Sequence, residues 1–134
     1  MAFSDSQSGG TILYGESPAS IIISGTVSKG DALGYSGGWV RALATVATAI
    51  ALRCVAAEDG VSGQTIVAYF GKCIIGGRFS GATANGAVYV AEGTSNGMYT
   101  QTVPSTTGDI TVRVGTALNA TELAIYPTTC DSIA

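Results

Sequence analysis

The chain contains no histidine. That removes the side chain most often used as a general base near neutral pH, as the activator of a hydroxyl or thiol nucleophile, and as a metal ligand. Charge is scarce as well: Asp, Glu, Lys and Arg make up 11 % of the residues, where about 25 % is usual for a soluble domain. The six basic residues, Lys29, Arg41, Arg53, Lys72, Arg78 and Arg113, stand singly along the chain against nine acidic ones. No basic patch forms from sequence neighbours, so nucleic acid is not an expected ligand. Long hydrophobic runs are missing too. The longest uncharged apolar stretch, residues 42–52, is interrupted by Thr45 and Thr48 and is too short to cross a bilayer as a helix. No membrane partner is expected. The opening segment MAFSDSQSGG has neither the positive charge nor the apolar centre of a secretory leader.

Three cysteines, Cys54, Cys73 and Cys130, are an odd number at wide spacing, and the first two lie inside the apolar runs LRCVA and GKCII. Buried free thiols of a protein made in a reducing cytoplasm are the expectation, with a Cys54–Cys73 bridge as the alternative.

What the chain does contain is hydrophobic residues, at 46 %, and 19 glycines among 134 residues. Such a chain covers its surface with Ser, Thr, Gly, Ala and Tyr instead of ions. This suits a surface that meets other protein, or a β domain with a hydroxyl-rich exterior. From residue 21 onward, short β-branched and aromatic runs such as IIISGTV, ALGY, WVRAL, TIVAYF, KCII, AVYVA and ELAIYP alternate with Gly-Asp, Gly-Gly, Asp-Gly and Asn-Gly pairs. Those pairs supply the positive φ of tight turns. The fold class expected is all-β, a compact β-barrel or β-sandwich with short hairpins. One short helix is allowed within Leu43–Leu52, whose β-branched residues equally suit an extended connection.

Residues 1–20 read as an extended N-terminal arm and residues 21–134 as a single β domain. The arm is rich in Ser and Gly, and its apolar side chains are Phe3 and the island Ile12, Leu13 and Tyr14. It either adds a strand to a partner's sheet edge, pairs within its own fold, or is a disordered tail. In the last strands, Ile110, Val112, Val114 and Leu118 fall on one face with Thr111 and Arg113 on the other, and Leu123 and Ile125 oppose Glu122. TIVAYF and AVYVA are apolar on both faces, so Tyr69 and Tyr89 point either to a subunit contact or to the second layer of a sandwich. Trp39, the only tryptophan, is an anchor of the core or of an interface.

Candidate chemistry is sparse. Asp31, Glu58, Asp59 and Asp109 sit at turns, where carboxylates cap backbone amides. No metal-ligand spacing, phosphate loop or nucleophile constellation is present, so no catalytic residue, cofactor or metal site is expected. The VSKGDAL turn is similar to that of biotinyl and lipoyl carrier domains, but the following tip, Ser36-Gly37-Gly38, lacks the acceptor lysine.

The order VSKGDALGY, GG, WVRAL, then ALRCVAAEDGVSGQTIVAYFGKCII, ATANGAVYV and RVGTALNATELAIYP, spanning about residues 21–127, resembles the small β-rich capsid decoration, or cement, proteins of tailed bacteriophages. The resemblance rests on glycine placement and strand order. It implies a non-enzymatic protein on the outer surface of a phage head, synthesised in the host cytoplasm, binding the major capsid protein and itself, usually as a homotrimer. Its partner-contacting residues would be Phe3, Ile12, Leu13, Tyr14, Trp39, Tyr69 and Tyr89. The alternative is a ligand-binding adhesin module of a tail or fibre, with a concave cluster of Tyr35, Trp39, Tyr89 and Tyr99.

Overall fold

A computed structural model describes residues 2–127. The strands of its first half are β1 (Ser4–Asp5), β2 (Thr11–Gly15), β3 (Pro18–Ile22), β4 (Ala32–Tyr35), β5 (Trp39–Arg41), β6 (Cys54–Ala56) and β7 (Thr65–Tyr69). They are followed by β8 (Cys73–Gly76), β9 (Phe79–Ser80), β10 (Ala87–Val90), β11 (Tyr99–Thr100), β12 (Gly115–Ala117) and β13 (Leu123–Ile125). One turn of 3-10 helix, Val46–Thr48, is the only helical element among the described residues. It sits inside a small loop closed by Leu43 and Ile50, which exchange backbone hydrogen bonds at 3.0 and 2.8 Å. The Leu43–Leu52 segment thus combines both forms expected of it.

The strands form three antiparallel sheets: six strands in the order β11-β10-β12-β13-β8-β2, five in the order β3-β7-β6-β4-β5, and the pair β1-β9. The architecture is that of a sandwich, with no closed barrel. Strand alternation divides the core in two. On β6 the side chain of Val55 enters one apolar cluster with Cys73, Ile75, Val88, Leu123 and Ile125 of the six-stranded sheet; its neighbours Cys54 and Ala56 enter a second cluster with Ile21, Ile23, Val27, Leu33 and Ile66. The same split separates Ala32 from Leu33 on β4. The five-stranded sheet is therefore apolar on both faces because it is covered on both.

Its second face is covered by its own curl. Just beyond β3, Ile23 bridges Trp39 of β5, and the Ser24 N–H donates to the Trp39 carbonyl at 2.9 Å. The two outer strands of that sheet nearly meet around the second cluster. Glycine permits the approach: a Cβ on Gly38 would overlap the Ser24 side chain. The hinge before β5 turns through Gly37 at φ +67°, a conformation that favours glycine.

The first twenty residues are not a separate arm. β1 pairs with β9, β2 with β8 and β3 with β7, so the segment lies along its own domain. Pro18 is the first residue of β3, a position where its missing N–H costs no ladder bond on the open side. The late alternation also differs from expectation. Ile110 and Val114 are buried, but the strand proper is Gly115–Ala117, and Gly115 and Ala117 face inward while Leu118 is exposed. The Arg113 guanidinium donates to the Gly115 carbonyl at 3.0 Å, and from Gly115 onward the inward parity is shifted by one residue relative to Ile110 and Val114.

Candidate functional site

Two features of the molecule stand out: a buried ion network and an apolar outer edge. The network centres on Arg78, whose side chain is fully buried. Its Nε and Nη2 donate to the two carboxylate oxygens of Asp5 at 2.7 and 2.9 Å. Nη1 donates to Asp31 Oδ1 at 2.9 Å and to the Lys29 carbonyl at 3.1 Å, and Nη2 also reaches the Gly97 carbonyl at 3.4 Å. All five guanidinium donors are used. Asp31 Oδ2 accepts from Arg41 Nε at 2.7 Å and from the Ser28 backbone N–H at 2.8 Å, so it caps its turn as expected while balancing two arginines. Asp5 also receives the backbone N–H groups of Gln7 and Tyr99. Burial alone would weaken the Arg78 charge. The hydrogen bond and charge of Asp5, joined by Tyr99 and Asp31, reverse that and hold its pKa above the ordinary guanidinium value. Two carboxylates and two guanidiniums cancel, and the rings of Phe79 and Tyr99 lie 5.5 and 5.8 Å from the Arg78 carbon.

Sequence reading passes over this network. Asp5 and Arg78 are 73 residues apart, and Asp5 lies in the segment taken for an arm. The available signal is an arginine inside the glycine-flanked run GGRFS of an almost uncharged chain.

The expected contact residues divide. Phe3 packs against the first core cluster and stacks on Phe79, ring centroids 6.0 Å apart; Ile12 joins the same cluster. Tyr69 packs there as well, with its ring over Gly15, where a Cβ would collide with it. Trp39 is half-buried at the end of the second cluster, edge-on to Tyr35 at 5.3 Å and to Phe70 at 5.6 Å. Tyr89 lies on β10 facing away from its buried neighbours Val88 and Val90. Leu13 and Tyr14 are outward, 52 % and 46 % exposed. Their successive exposure has a cause: the β2–β8 register shifts between Ile12 and Tyr14, leaving Leu13 as the extra residue of a bulge. On the neighbouring β3, Ile22 is 63 % exposed. The four aromatics Tyr35, Trp39, Tyr89 and Tyr99 do not form one cluster. Tyr99 is buried, edge-on to Phe79, and its hydroxyl donates to the Gly30 carbonyl at 2.8 Å.

Cys54 and Cys73 are buried free thiols, and burial pushes both up to about 12. Burial therefore disfavours the thiolate, the reactive form of cysteine, at both positions. Cys130 lies outside the described residues. No group of three or more His, Cys, Asp or Glu that could hold a metal occurs among the described residues. A cavity of about 350 Å³ is lined by Phe3, Ser4, Glu92, Ser95, Thr100 and Thr102 among others. No helix among the described residues is long and apolar enough to cross a membrane. No family model, curated protein or solved structure matches this chain.

Proposed function

We propose that this protein is a non-enzymatic capsid decoration protein that binds the outer surface of a tailed-phage head, as a homotrimer against the major capsid protein, and stabilises the mature shell. The observation that carries the reading is the character of β2 and β3. Outer strands usually block further pairing with charge, and neither TILYG nor PASII contains a charged residue. β2 carries a bulge, which guards its edge, whereas β3 runs in unbroken five-residue register with β7 and has only Pro18 as a guard. Leu13 and Tyr14 on the outer strand of one sheet, and Ile22 on the outer strand of the other, each present apolar side chains beside main-chain groups that a partner strand or loop can engage. A surface poor in ions and apolar at these edges supports protein contact over small-molecule chemistry. Light scattering and binding to bare heads test the reading: mass near three chains in solution, or three-fold grouping on the shell, is expected. A strict monomer in solution that also binds heads as isolated copies contradicts it.

The cavity favours one second reading, an adhesin module of a tail or fibre, because serine and threonine hydroxyls and Glu92 line it beside Phe3. A glycan-array screen of the purified chain separates the two: selective sugar binding without head binding supports the adhesin.

A further inference from the structure

The cavity of about 350 Å³ is shared by two strands that do not pair with each other. β1 contributes Ser4 and Asp5 to its lining, with Phe3 just before them, and β11 contributes Tyr99 and Thr100. Ladder parity turns main-chain groups of both strands away from the neighbours they do pair with. The Ser6 N–H donates to the Arg78 carbonyl at 2.8 Å, so Ser4 and Ser6 bond towards β9 and the main chain of Asp5 faces the opposite side. The Ala91 N–H donates to the Met98 carbonyl at 3.0 Å, which directs Met98 and Thr100 to β10 and leaves the Tyr99 N–H and C=O on the outer edge of that sheet. That edge looks towards β1, where Asp5 Oδ2 takes the Tyr99 N–H at 3.1 Å. The Tyr99 carbonyl points the same way. Around these edges the lining side chains are apolar or can accept hydrogen bonds. Phe3, Ala91 and Met98 form the apolar part, Ser4, Ser95, Thr100 and Thr102 bring hydroxyls, and Glu92 brings a carboxylate. No Lys or Arg lines the cavity. Arg78, the cation on Asp5, spends its donors on Asp5, Asp31 and two backbone carbonyls, and no ion pair among the described residues reaches Glu92.

We propose that this cavity is a docking site for a basic side chain, lysine or arginine, carried on an extended segment of a partner protein. The match is one of chemistry. A lysine or arginine head has several N–H donors and no acceptor, which suits a lining of hydroxyls and one carboxylate, and its methylene stem suits Phe3 and Met98. The partner's main chain runs along the outer edge of β11, where the Tyr99 carbonyl offers a strand-type hydrogen bond. A net charge of −3 on the whole chain favours the approach of a basic segment. A neutral sugar also satisfies hydroxyls, but it covers the Glu92 carboxylate without supplying a counter-charge. The site goes beyond capsid decoration and does not rest on it: its chemistry asks only for a basic residue in extended chain. Its size falls in the lower part of the roughly 300–1,000 Å³ usual for ligand pockets, which suits one long side chain and its flanking peptide units.

Amide NMR titration of the full chain with short capped peptides tests this. The probes are acetyl-Gly-Lys-Gly-amide, the same peptide with arginine, norleucine or glutamate in the centre, and n-butylamine, which has the charge and stem but no peptide units. The lysine and arginine peptides are expected to shift the amide signals of Ser95, Tyr99 and Thr100 saturably. Norleucine and glutamate peptides should bind about tenfold more weakly or not at all, the effect of losing one charge-assisted hydrogen bond. Butylamine should also fall behind the lysine peptide, because it cannot use the β11 edge. In Glu92→Gln, which keeps the side-chain shape, the lysine peptide should lose about the same factor while the dispersion of the spectrum stays that of the wild type. Equal binding of the lysine and norleucine peptides to the wild type overturns the proposal, as does lysine binding undiminished in Glu92→Gln or mapped away from the cavity. Butylamine binding as tightly as the lysine peptide overturns the peptide assignment. Methyl glycosides that shift the same signals when the basic peptides do not would make the cavity a sugar site and overturn it as well.

Discussion

Within the first twenty-two residues, β1 and the strands that follow it make opposite uses of their side chains. β1 sends Asp5 into the interior to meet Arg78, with Phe3 stacked on Phe79, so it is held by the core of the domain. β2 and β3 leave Leu13, Tyr14 and Ile22 in solvent. The first is a structural anchor and the second, on the reading proposed here, a contact surface. The difference teaches that one segment can be integral to a fold and still be the part that offers itself to a partner.

Breaking the anchor should have the largest effect. Asp5→Ala leaves Asp31 as the one carboxylate facing both Arg78 and Arg41, so the buried network carries an uncompensated positive charge, and loss of one partner of a buried ion pair costs about 3–5 kcal/mol. Urea unfolding should register this as a shifted midpoint. Replacing Asp5, Arg78, Asp31 and Arg41 together by apolar residues should cost far less than Asp5→Ala, because no uncompensated charge remains.

Next in size is the core. Leu123→Ala removes a fully buried side chain from the cluster between the sheets, for about 2–5 kcal/mol. At the outward strands the pattern reverses. Leu13→Asp and Ile22→Asp should change stability by no more than about 0.5 kcal/mol, as surface substitutions do, while head binding measured by co-sedimentation falls at least tenfold. If they unfold the protein instead, the division between anchor and surface fails.

The smallest effect concerns the thiols. Cys54 and Cys73 should resist alkylation in the native protein at pH 8, as read peptide by peptide in a mass spectrometer. Their stabilising contribution is complete below about pH 9, the ordinary thiol value, and is lost as pH climbs towards their folded value of about 12. The expected signature is a fall in melting temperature confined to that alkaline range, reduced in Cys54→Ala.

The all-β class, the turn glycines and the inward pair Leu123 and Ile125 were legible in sequence because each depends on neighbours a few positions away. That residues 1–20 pair within their own fold, one of three readings left open by the sequence, could not be singled out there because Thr11–Gly15 pairs with Cys73–Gly76, some sixty residues distant, and nothing local signals that pairing. Leu118 was placed inward because period two was carried through Gly115, where the buried parity shifts by one residue. For the candidate contact residues, apolar character was readable and direction was not. Ile12 and Leu13 are adjacent, yet a bulge sends one to the core and the other to solvent.

The most direct test of the central claim is electron cryo-microscopy of bare, expanded tailed-phage heads incubated with the purified full-length chain. The account predicts additional density on the outer surface, grouped in threes at local three-fold positions, with β2 and β3 against the shell and a higher rupture temperature for the decorated particles. Heads without added density, or with isolated copies and unchanged rupture, would contradict it.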